Sequence, residues 1–280
     1  MTEKDLKQRA AVNTFRALHE SGCFVLPNPW DRGSALYLEH LGFKALATTS
    51  AGFAFSRGLA DSVTAVPREM MLEHIADIAD ATALPVNADF QTGYAHEPAG
   101  VAESVTLCVA TGVAGLSIED SSGDKEKPLY DFDLAVARIK AARAAIGATG
   151  IPVVLTARCE AWLVGQPEPL PVVLERLVAF ADAGADCLYA PGASKPEDIA
   201  AIVKAVSPKP VNVLVSGFNG DLTVSQLTDL GVRRISVGSG LATVAWKAFI
   251  NAARSIVEEG SFEKLKEGNL FGELNQLFSR

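Results

Sequence analysis

The sequence predicts an α/β protein of the (β/α)8 barrel class, built as one domain over residues 1–280 with additional helices at both termini. Eight short runs rich in Val, Ile and Leu alternate with segments that have helical spacing of apolar residues. Continuous apolar strands of this kind are typical of a parallel sheet that is covered by helices. The length of 280 residues fits such a barrel, which typically needs about 250 residues.

The eight predicted strands are apolar runs bounded by turn-forming or polar residues. They cover Cys23–Pro27, Ala45–Ser50, Pro85–Asp89, Gly115–Glu119, Val153–Thr156, Asp186–Ala190, Val211–Val215 and Arg234–Gly238. An open doubly wound sheet is the alternative architecture. It is disfavoured because the turn after the first strand, at Pro27–Asp31, lacks the glycines of a dinucleotide-binding loop.

The predicted helices lie between these strands, where apolar residues recur every three to four positions. They cover Lys4–Glu20, Arg32–His40, a segment beginning at Pro67, Val101–Thr111, Asp131–Ile146, Val172–Ala183, Pro196–Val206, Thr223–Leu230, Leu241–Glu258 and Phe262–Phe278. Residues 51–66 are predicted as a loop after the second strand. Each crossover between parallel strands is expected to be right-handed.

The composition and charge of the chain argue against several classes of function. The net charge of −8 argues against nucleic acid as a partner, because no basic surplus exists to neutralise phosphates. No apolar run approaches the roughly 20 residues that cross a bilayer, and the charged segment Met1–Lys7 lacks the apolar core of a signal peptide. The cysteines are scattered at Cys23, Cys108, Cys159 and Cys187, which is typical of reduced thiols in a cytoplasmic protein. No His/Cys spacing suggests zinc.

Charged side chains end three of the predicted strands. Asp89 and Glu119 end the third and fourth, and Arg158 follows the fifth. The carboxyl ends of barrel strands hold the chemistry of this fold, so the two acids are candidate oxygen ligands for Mg²⁺, and Arg158 is a candidate clamp for a substrate carboxylate. Asp89 as a turn cap and Arg158 as a structural partner of Glu119 or Glu160 are the alternatives. Asp120 must point away from Glu119, because a strand alternates its faces.

Three further stretches are candidates. The small residues Ser50, Ala51 and Gly52 would let backbone N–H groups approach an anionic ligand, although a plain turn fits them too. Asn212 lies inside a strand and needs hydrogen-bond partners, which a substrate carboxylate or the neighbouring backbone would supply. The polar loop Ser121–Tyr130 is either a solvated connection or a lid whose lysines close over the substrate.

The ordered set of these motifs resembles the isocitrate lyase / phosphoenolpyruvate mutase superfamily. Asn87–Tyr94 is similar to its Asp-x-Asp-x-Gly-Tyr/Phe stretch, with two additional residues before the glycine. Ile118–Asp120 is similar to its Glu-Asp strand end, and Thr156–Glu160 to its Thr-x-Arg segment. Further matches follow in the same order, and the resemblance spans nearly the whole chain: Asp31, Ser50–Gly52, Gly58–Asp61 and Pro210–Asn212.

The resemblance implies a barrel with Mg²⁺, or alternatively Mn²⁺, held directly by Asp89 and through water by Glu119. The substrate would be a small 2-oxo or 2-hydroxy (di)carboxylate, bound by Arg158, the Ser50–Gly52 backbone, Asp61 and Asn212. A metal-stabilised enolate would then form as a C–C or P–C bond breaks. The resemblance also implies a homo-oligomer, a dimer or tetramer, in which a C-terminal helix is exchanged between subunits.

The chain departs from the superfamily in the loop after the fourth strand. Lyases of this superfamily carry Lys-Lys-Cys-Gly-His there, with Cys as the general acid, and this loop has neither Cys nor His. Phosphonate enzymes carry a Lys/Pro/Lys/Asn pattern, of which Lys125, Lys127 and Pro128 recur in shifted positions. The candidate groups for handling the leaving fragment are therefore Lys125, Lys127 and Tyr130.

Three functions remain open at this point. The first is a Mg²⁺-dependent lyase or decarboxylase that breaks a C–C bond. The second is a phosphonate enzyme related to phosphoenolpyruvate mutase or phosphonopyruvate hydrolase. The third is a catalytically silent barrel that binds an oxo acid, for which the absent loop cysteine is the motive.

Overall fold

The computed structural model of the chain describes residues 2–62, 64–217 and 221–279. It divides into two compact units, Met1–Ser239 and Gly240–Arg280. The first unit contains all eight strands of the sheet, and the second contains helices. The assignment of residues 1–280 to one domain stays a prediction, as does the exchange of a C-terminal helix between subunits.

All eight predicted strands are present and pair in parallel. They are β1 (Phe24–Leu26), β2 (Leu46–Ala47), β3 (Val86–Asp89), β4 (Gly115–Glu119), β5 (Val154–Arg158), β6 (Cys187–Tyr189), β7 (Val211–Leu214) and β8 (Arg234–Ser236). Their order in the sheet is β1-β8-β7-β6-β5-β4-β3-β2. A backbone hydrogen bond of 3.0 Å from Ala47 N to Pro27 O links the two edges of this sheet. The predicted barrel class is therefore confirmed.

Helices follow the strands as βα units require. They are α1 (Glu3–Glu20), α2 (Arg32–His40), α3 (Ser50–Ser56), α4 (Arg68–Ala81), α5 (Pro98–Ala110), α6 (Phe132–Thr149), α7 (Pro169–Asp182), α8 (Pro196–Val206), α9 (Val224–Asp229), α10 (Gly240–Glu259) and α11 (Phe271–Phe278). A 3₁₀ helix, Glu263–Gly268, precedes α11. No helix in the described ranges is long and apolar enough to span a membrane.

The segment after β2 differs from the prediction. The sequence predicts a strand that continues to Ser50 and a loop over residues 51–66, but the strand ends at Ala47 and α3 begins at Ser50. Thr49 causes this change, because its hydroxyl accepts a hydrogen bond of 3.2 Å from Gly52 N and caps the first turn. The predicted final helix Phe262–Phe278 is likewise divided into the 3₁₀ helix and α11.

Helix α1 closes the amino-terminal end of the barrel. The side-chain amide of Gln8 donates to Val113 O at 2.9 Å, just before β4, and Arg16 donates to Pro152 O at 3.0 Å, just before β5. Phe15 is fully buried against Gly115, where an added Cβ would lie 2.7 Å from the Phe15 ring. Because this end is sealed by packing, the barrel opens at its carboxyl-terminal end.

The interior of the barrel is unusually polar. Apolar side chains on the outer faces of the strands pack under the helices, and the core includes Leu116, Ile118 and Leu155. The alternate, inward positions carry mostly polar side chains, listed here in strand order: Asn87, Asp89, Ser117, Glu119, Thr156, Arg158, Tyr189, Asn212, Arg234 and Ser236. Barrel interiors are usually filled by branched apolar residues, so this polar interior marks a site.

Candidate active site

A cavity of about 500 Å³ opens at the carboxyl-terminal ends of the strands. Most of the predicted site residues line it: Ser50, Ala51, Asp61, Asp89, Glu119, Arg158 and Asn212. Gly52 is buried and does not line the cavity. The barrel thus brings residues that lie more than 160 positions apart in sequence to one concave surface, which is the usual location of chemistry in this fold.

Arg158 is the centre of a charged cluster in this cavity. Its Nη1 lies 2.7 Å from Asp89 Oδ1, its Nη2 lies 3.1 Å from Glu119 Oε2, and its Nε lies 2.9 Å from Glu160 Oε1. Pairing in the sheet explains this geometry, because Glu119 and Arg158 are register partners on β4 and β5. The guanidinium therefore contacts both predicted metal ligands, Asp89 and Glu119. Its contacts with Glu119 and Glu160 are also those expected if Arg158 has a structural role.

Asp89 is held from a second side by the start of α3. Its Oδ2 accepts hydrogen bonds from Ser50 N at 2.9 Å and from Ser50 Oγ at 2.8 Å. Its backbone N–H donates to Thr48 Oγ1 at 2.9 Å. Both carboxylate oxygens of Asp89 are thus occupied by donors, and the carboxylate is fixed at the mouth of the barrel.

Burial and charge compete in this cluster. Burial raises the pKa of Glu119 well above its usual value, although Arg158 opposes the shift. Burial, with a smaller effect from Asp89, also raises the pKa of Asp61. Burial alone would lower the pKa of Arg158, but Glu160, Glu119 and Asp89 outweigh it and the net shift is upward. Burial therefore disfavours the charged forms of Asp61 and Glu119, and a further positive charge in the cavity would favour them.

The chemistry of the lining residues fits a divalent cation. Four acids line the cavity, Asp61, Asp89, Glu119 and Glu160, against two guanidinium groups, those of Arg158 and Arg234. The described residues hold no ready cluster of three carboxylate, His or Cys ligands. A cation at this place would thus take one or two carboxylates together with water and substrate oxygens, which is the ligand set that Mg²⁺ prefers.

Asp120 points away from the cavity, as the alternation of a strand predicts. Its Oδ1 accepts from Glu160 N at 2.8 Å, and its Oδ2 accepts from Arg176 Nη1 at 3.0 Å. Arg176 Nη2 also donates to Tyr130 O at 2.8 Å. The adjacent acids Glu119 and Asp120 therefore have different roles. Glu119 faces the cavity, and Asp120 links the backbone after β5 to Arg176 on α7 outside it.

The loop after β4 is folded on itself. Ser122 N donates to Pro128 O at 2.9 Å, and Ser122 Oγ donates to Lys127 O. Lys125 and Lys127 are exposed, and neither lines the cavity. Tyr130 is buried with Arg138 Cζ 4.0 Å from its ring centroid. The structure therefore does not bring these three predicted catalytic residues to the acids, and their catalytic role stays a prediction.

Asn212 has the hydrogen-bond partners that a buried amide needs. Its Nδ2 donates to Ser236 Oγ at 2.9 Å, and its Oδ1 accepts from Arg234 Nε at 2.8 Å. Arg234 also donates to Thr156 Oγ1 at 2.9 Å, and its Nη1 lies 3.3 Å from His19 Nε2. Burial and the neighbouring Arg234 lower the pKa of His19 to about 3, so the imidazole is a neutral acceptor.

The lining residues that sequence reasoning missed include Tyr189, Arg234 and Ser236. Tyr189 and Ser236 end short strands and Arg234 begins one, and none of them is a charge that directly follows an apolar run. The signal that locates them is register, since Tyr189 pairs with Arg158 and Arg234 pairs with Asn212. Once one inward residue on a strand is known, period-two alternation and pairing identify the others.

Comparisons with known proteins agree with this geometry. The chain matches the family of phosphoenolpyruvate phosphomutase over residues 15–257. It is 36% identical over 250 residues to an uncharacterized protein of Mycobacterium tuberculosis, covering 87% of this chain and 88% of that protein. A 2-methylisocitrate lyase of Halalkalibacterium halodurans is 26% identical, with 94% and 87% of the two chains covered.

Solved structures give the same result. A protein of Burkholderia cenocepacia J2315 described as a lyase/mutase superposes with a TM-score of 0.94 at 44% identity, and 98% of each chain is covered. Oxaloacetate acetylhydrolase in complex with its product oxalate superposes with a TM-score of 0.86 at 29% identity, covering 96% of this chain and 94% of that one. The chain therefore belongs to the phosphoenolpyruvate phosphomutase family and is an enzyme of the isocitrate lyase / phosphoenolpyruvate mutase superfamily, as its motifs predict.

Proposed function

We propose that the protein is a Mg²⁺-dependent lyase or decarboxylase that breaks a C–C bond in a small 2-oxo or 2-hydroxy (di)carboxylate. The observation that carries this proposal is the cluster in which Arg158 contacts Asp89, Glu119 and Glu160 at the mouth of a polar barrel. The names of relatives support the substrate class: 2-methylisocitrate lyase, oxaloacetate decarboxylase and 2,3-dimethylmalate lyase.

Asp89 and Glu119 would hold the cation, which would supply charge to stabilise an enolate oxygen. Arg158 is within reach of both acids, so its guanidinium would turn from them to a substrate carboxylate and hold it by paired hydrogen bonds. Asn212 and Ala51 line the same cavity and would orient the remaining polar groups of the substrate. Walls made by Leu26, Leu163 and Leu214 would limit access of water.

The experiment is a screen of purified protein with oxaloacetate, methylisocitrate, dimethylmalate and phosphonopyruvate, in the presence of Mg²⁺ or Mn²⁺. Formation of pyruvate or another oxo acid is measured by liquid chromatography. We expect turnover that EDTA stops and Mg²⁺ restores, and that Asp89→Ala abolishes. Asp77→Ala, which removes an exposed acid on α4 outside the cavity, is the matched control. Turnover that is indifferent to EDTA and to Asp89→Ala would refute the proposal.

Phosphonate chemistry is the second candidate. The observation that favours it is the pair Lys125 and Lys127 with Pro128 in the loop after β4, which is similar to the loop of phosphonate enzymes. Turnover of phosphonopyruvate in the same screen would select it. Tight binding of an oxo acid without any turnover would instead support the silent barrel.

We also propose that the protein is a homo-oligomer, with contacts through its C-terminal unit. Within that unit, the three helices and the connection before the 3₁₀ helix expose large apolar side chains: Val244, Phe249, Val257, Phe262, Leu265 and Phe271. Val257 is 84% exposed and Phe271 is 80% exposed, values that are costly for a free monomer. A second copy of the chain would cover them. Light scattering coupled to size-exclusion chromatography tests this, and a monomer at all concentrations would contradict it.

A further inference from the structure

The cavity contains one tyrosine that no part of the proposal above uses. Tyr189 ends β6 as the register partner of Arg158 on β5, and it is 8% exposed. The Arg158 guanidinium carbon lies 5.1 Å from the centroid of the Tyr189 ring. The phenol therefore stands beside the group that would clamp the substrate carboxylate, at the same height in the barrel as the acids.

The Tyr189 side chain reaches across the cavity. Ser236 on β8, two strands away, is near enough to the phenol to oppose the rise in the pKa of Tyr189. Ser236 Oγ in turn accepts from Asn212 Nδ2 at 2.9 Å, and Asn212 is fixed by Arg234 Nε at 2.8 Å. The phenol thus lies beside a buried, hydrogen-bonded group of side chains and against the Arg158 guanidinium, which restricts its position as proton transfer in a defined geometry requires.

Besides Tyr189, the customary proton donors on the described part of the cavity wall are the acids Asp61, Asp89, Glu119 and Glu160. Of the described residues that line the cavity, none is a cysteine, histidine or lysine. Cys159 and Cys187 are buried outside it. Glu119 and Glu160 are engaged by Arg158. Burial raises the pKa of Tyr189 to about 12, so the phenol keeps its proton at neutral pH.

We propose that Tyr189 is the catalytic acid that protonates the carbon of the departing enolate; this inference rests on the C–C cleavage proposed above. When the C–C bond breaks, its electron pair stays on the enolate fragment. The Tyr189 O–H bond then breaks as a C–H bond forms from the C=C electron pair of the enolate. The phenolate regains its proton from water, and no oxidant or reductant is needed.

The test uses Tyr189→Phe, which keeps the ring beside Arg158 and removes the hydroxyl alone. Two reactions are measured with Mg²⁺ present: oxaloacetate turnover, and exchange of the pyruvate methyl protons in D₂O by NMR. General acid catalysis typically contributes about 10²–10⁴-fold. We therefore expect both rates to fall by about 10²–10⁴-fold, while KM and the melting temperature stay close to those of the unchanged protein. Tyr37→Phe on α2, outside the cavity, is the matched control and should keep full rates.

The outcomes separate the two proposals. If the unchanged protein shows neither turnover nor exchange, the proposed C–C cleavage through a pyruvate enolate fails, and the role of Tyr189 fails with it. If the unchanged protein is active and Tyr189→Phe matches it, the role of Tyr189 alone is overturned. A loss of rate that is accompanied by an equal loss of substrate binding or by unfolding counts against a proton-donor role as well. Ser236→Ala should give a smaller loss of rate, because it frees the phenol without removing it.

Discussion

Replacing Asp120 by asparagine tests whether the ion pair behind the cavity holds the site loops. Asp120 accepts from Glu160 N at 2.8 Å and from Arg176 Nη1 at 3.0 Å, and its side chain is 2% exposed. An asparagine can keep one of these bonds, but its amide nitrogen then faces a second donor. Arg176, whose side chain is 10% exposed, would be left as a buried charge without a counter-charge.

Breaking a buried ion pair by removing one partner costs about 3–5 kcal/mol. We take about 3 kcal/mol for Asp120→Asn, because Tyr130 O still accepts from Arg176 at 2.8 Å. For a chain of this size each kcal/mol lowers the melting temperature by about 2–4 °C, so the expected decrease is about 6–12 °C. Turnover should also fall, because Glu160 N loses a partner and Glu160 holds Arg158.

The assay is urea unfolding of a double-mutant cycle. Asp120→Asn and Arg176→Met are measured singly and together, and the double variant should lose clearly less than the sum of the two single losses, since it contains no unpaired buried charge. A loss below about 1 kcal/mol for Asp120→Asn, or additive losses in the cycle, would show that the pair does not act as described.

Three other outcomes are expected. The pKa of His19 is lowered to about 3, so below about pH 6.5 the unfolded chain binds more protons than the folded one, and the free energy of unfolding falls as the pH falls. Between pH 7 and pH 5 this loss is about 2 kcal/mol. His19→Gln keeps an acceptor for Arg234 and should remove this pH dependence from urea unfolding curves. Gly115→Ala should cost about 1–3 kcal/mol of unfolding free energy, because the new Cβ lies 2.7 Å from Phe15 and 3.0 Å from Val154 O; an unchanged midpoint would contradict this. Ser50→Ala should weaken Mg²⁺ binding about tenfold by calorimetry, because Asp89 loses one of its two bonds from Ser50, and unchanged affinity would exclude that support.

The sequence predicts the barrel well because its strands are buried on their outer faces and read as apolar runs. The prediction for the start of α3 is wrong for a local reason: Thr48 and Thr49 are β-branched and extend the apparent strand, but the hydroxyl of Thr49 caps a helix there. A capping bond of this kind competes with strand pairing over two or three residues. Single-sequence patterns do not resolve that competition.

For the candidate site, sequence reasoning located the charged residues that end strands, and it missed Tyr189, Arg234 and Ser236. Asp89, Glu119 and Arg158 are conspicuous because each is a charge after an apolar run. Arg234 adjoins Arg233 at the start of the predicted eighth strand, where a charged residue is expected to be solvated, yet it is 2% exposed in the barrel core. The loop that carries Lys125 and Lys127 resembles a lid in the sequence, but hydrogen bonds from Ser122 to the backbone of Pro128 and Lys127 close this loop on itself. Register across the sheet and closure of a loop are long-range properties, so composition does not reveal them.

Helix α1 has a practical consequence for anyone who shortens this protein. His19, near the end of α1, meets Arg234, which orients Asn212 in the cavity. A truncation that starts at the first strand would remove His19 from Arg234, and it would also remove Phe15, which covers the amino-terminal end of the barrel. Such a fragment would keep the residues that line the cavity and lose the contact that supports Arg234 and, through it, Asn212. Expression variants should therefore retain the chain from Thr2 onward.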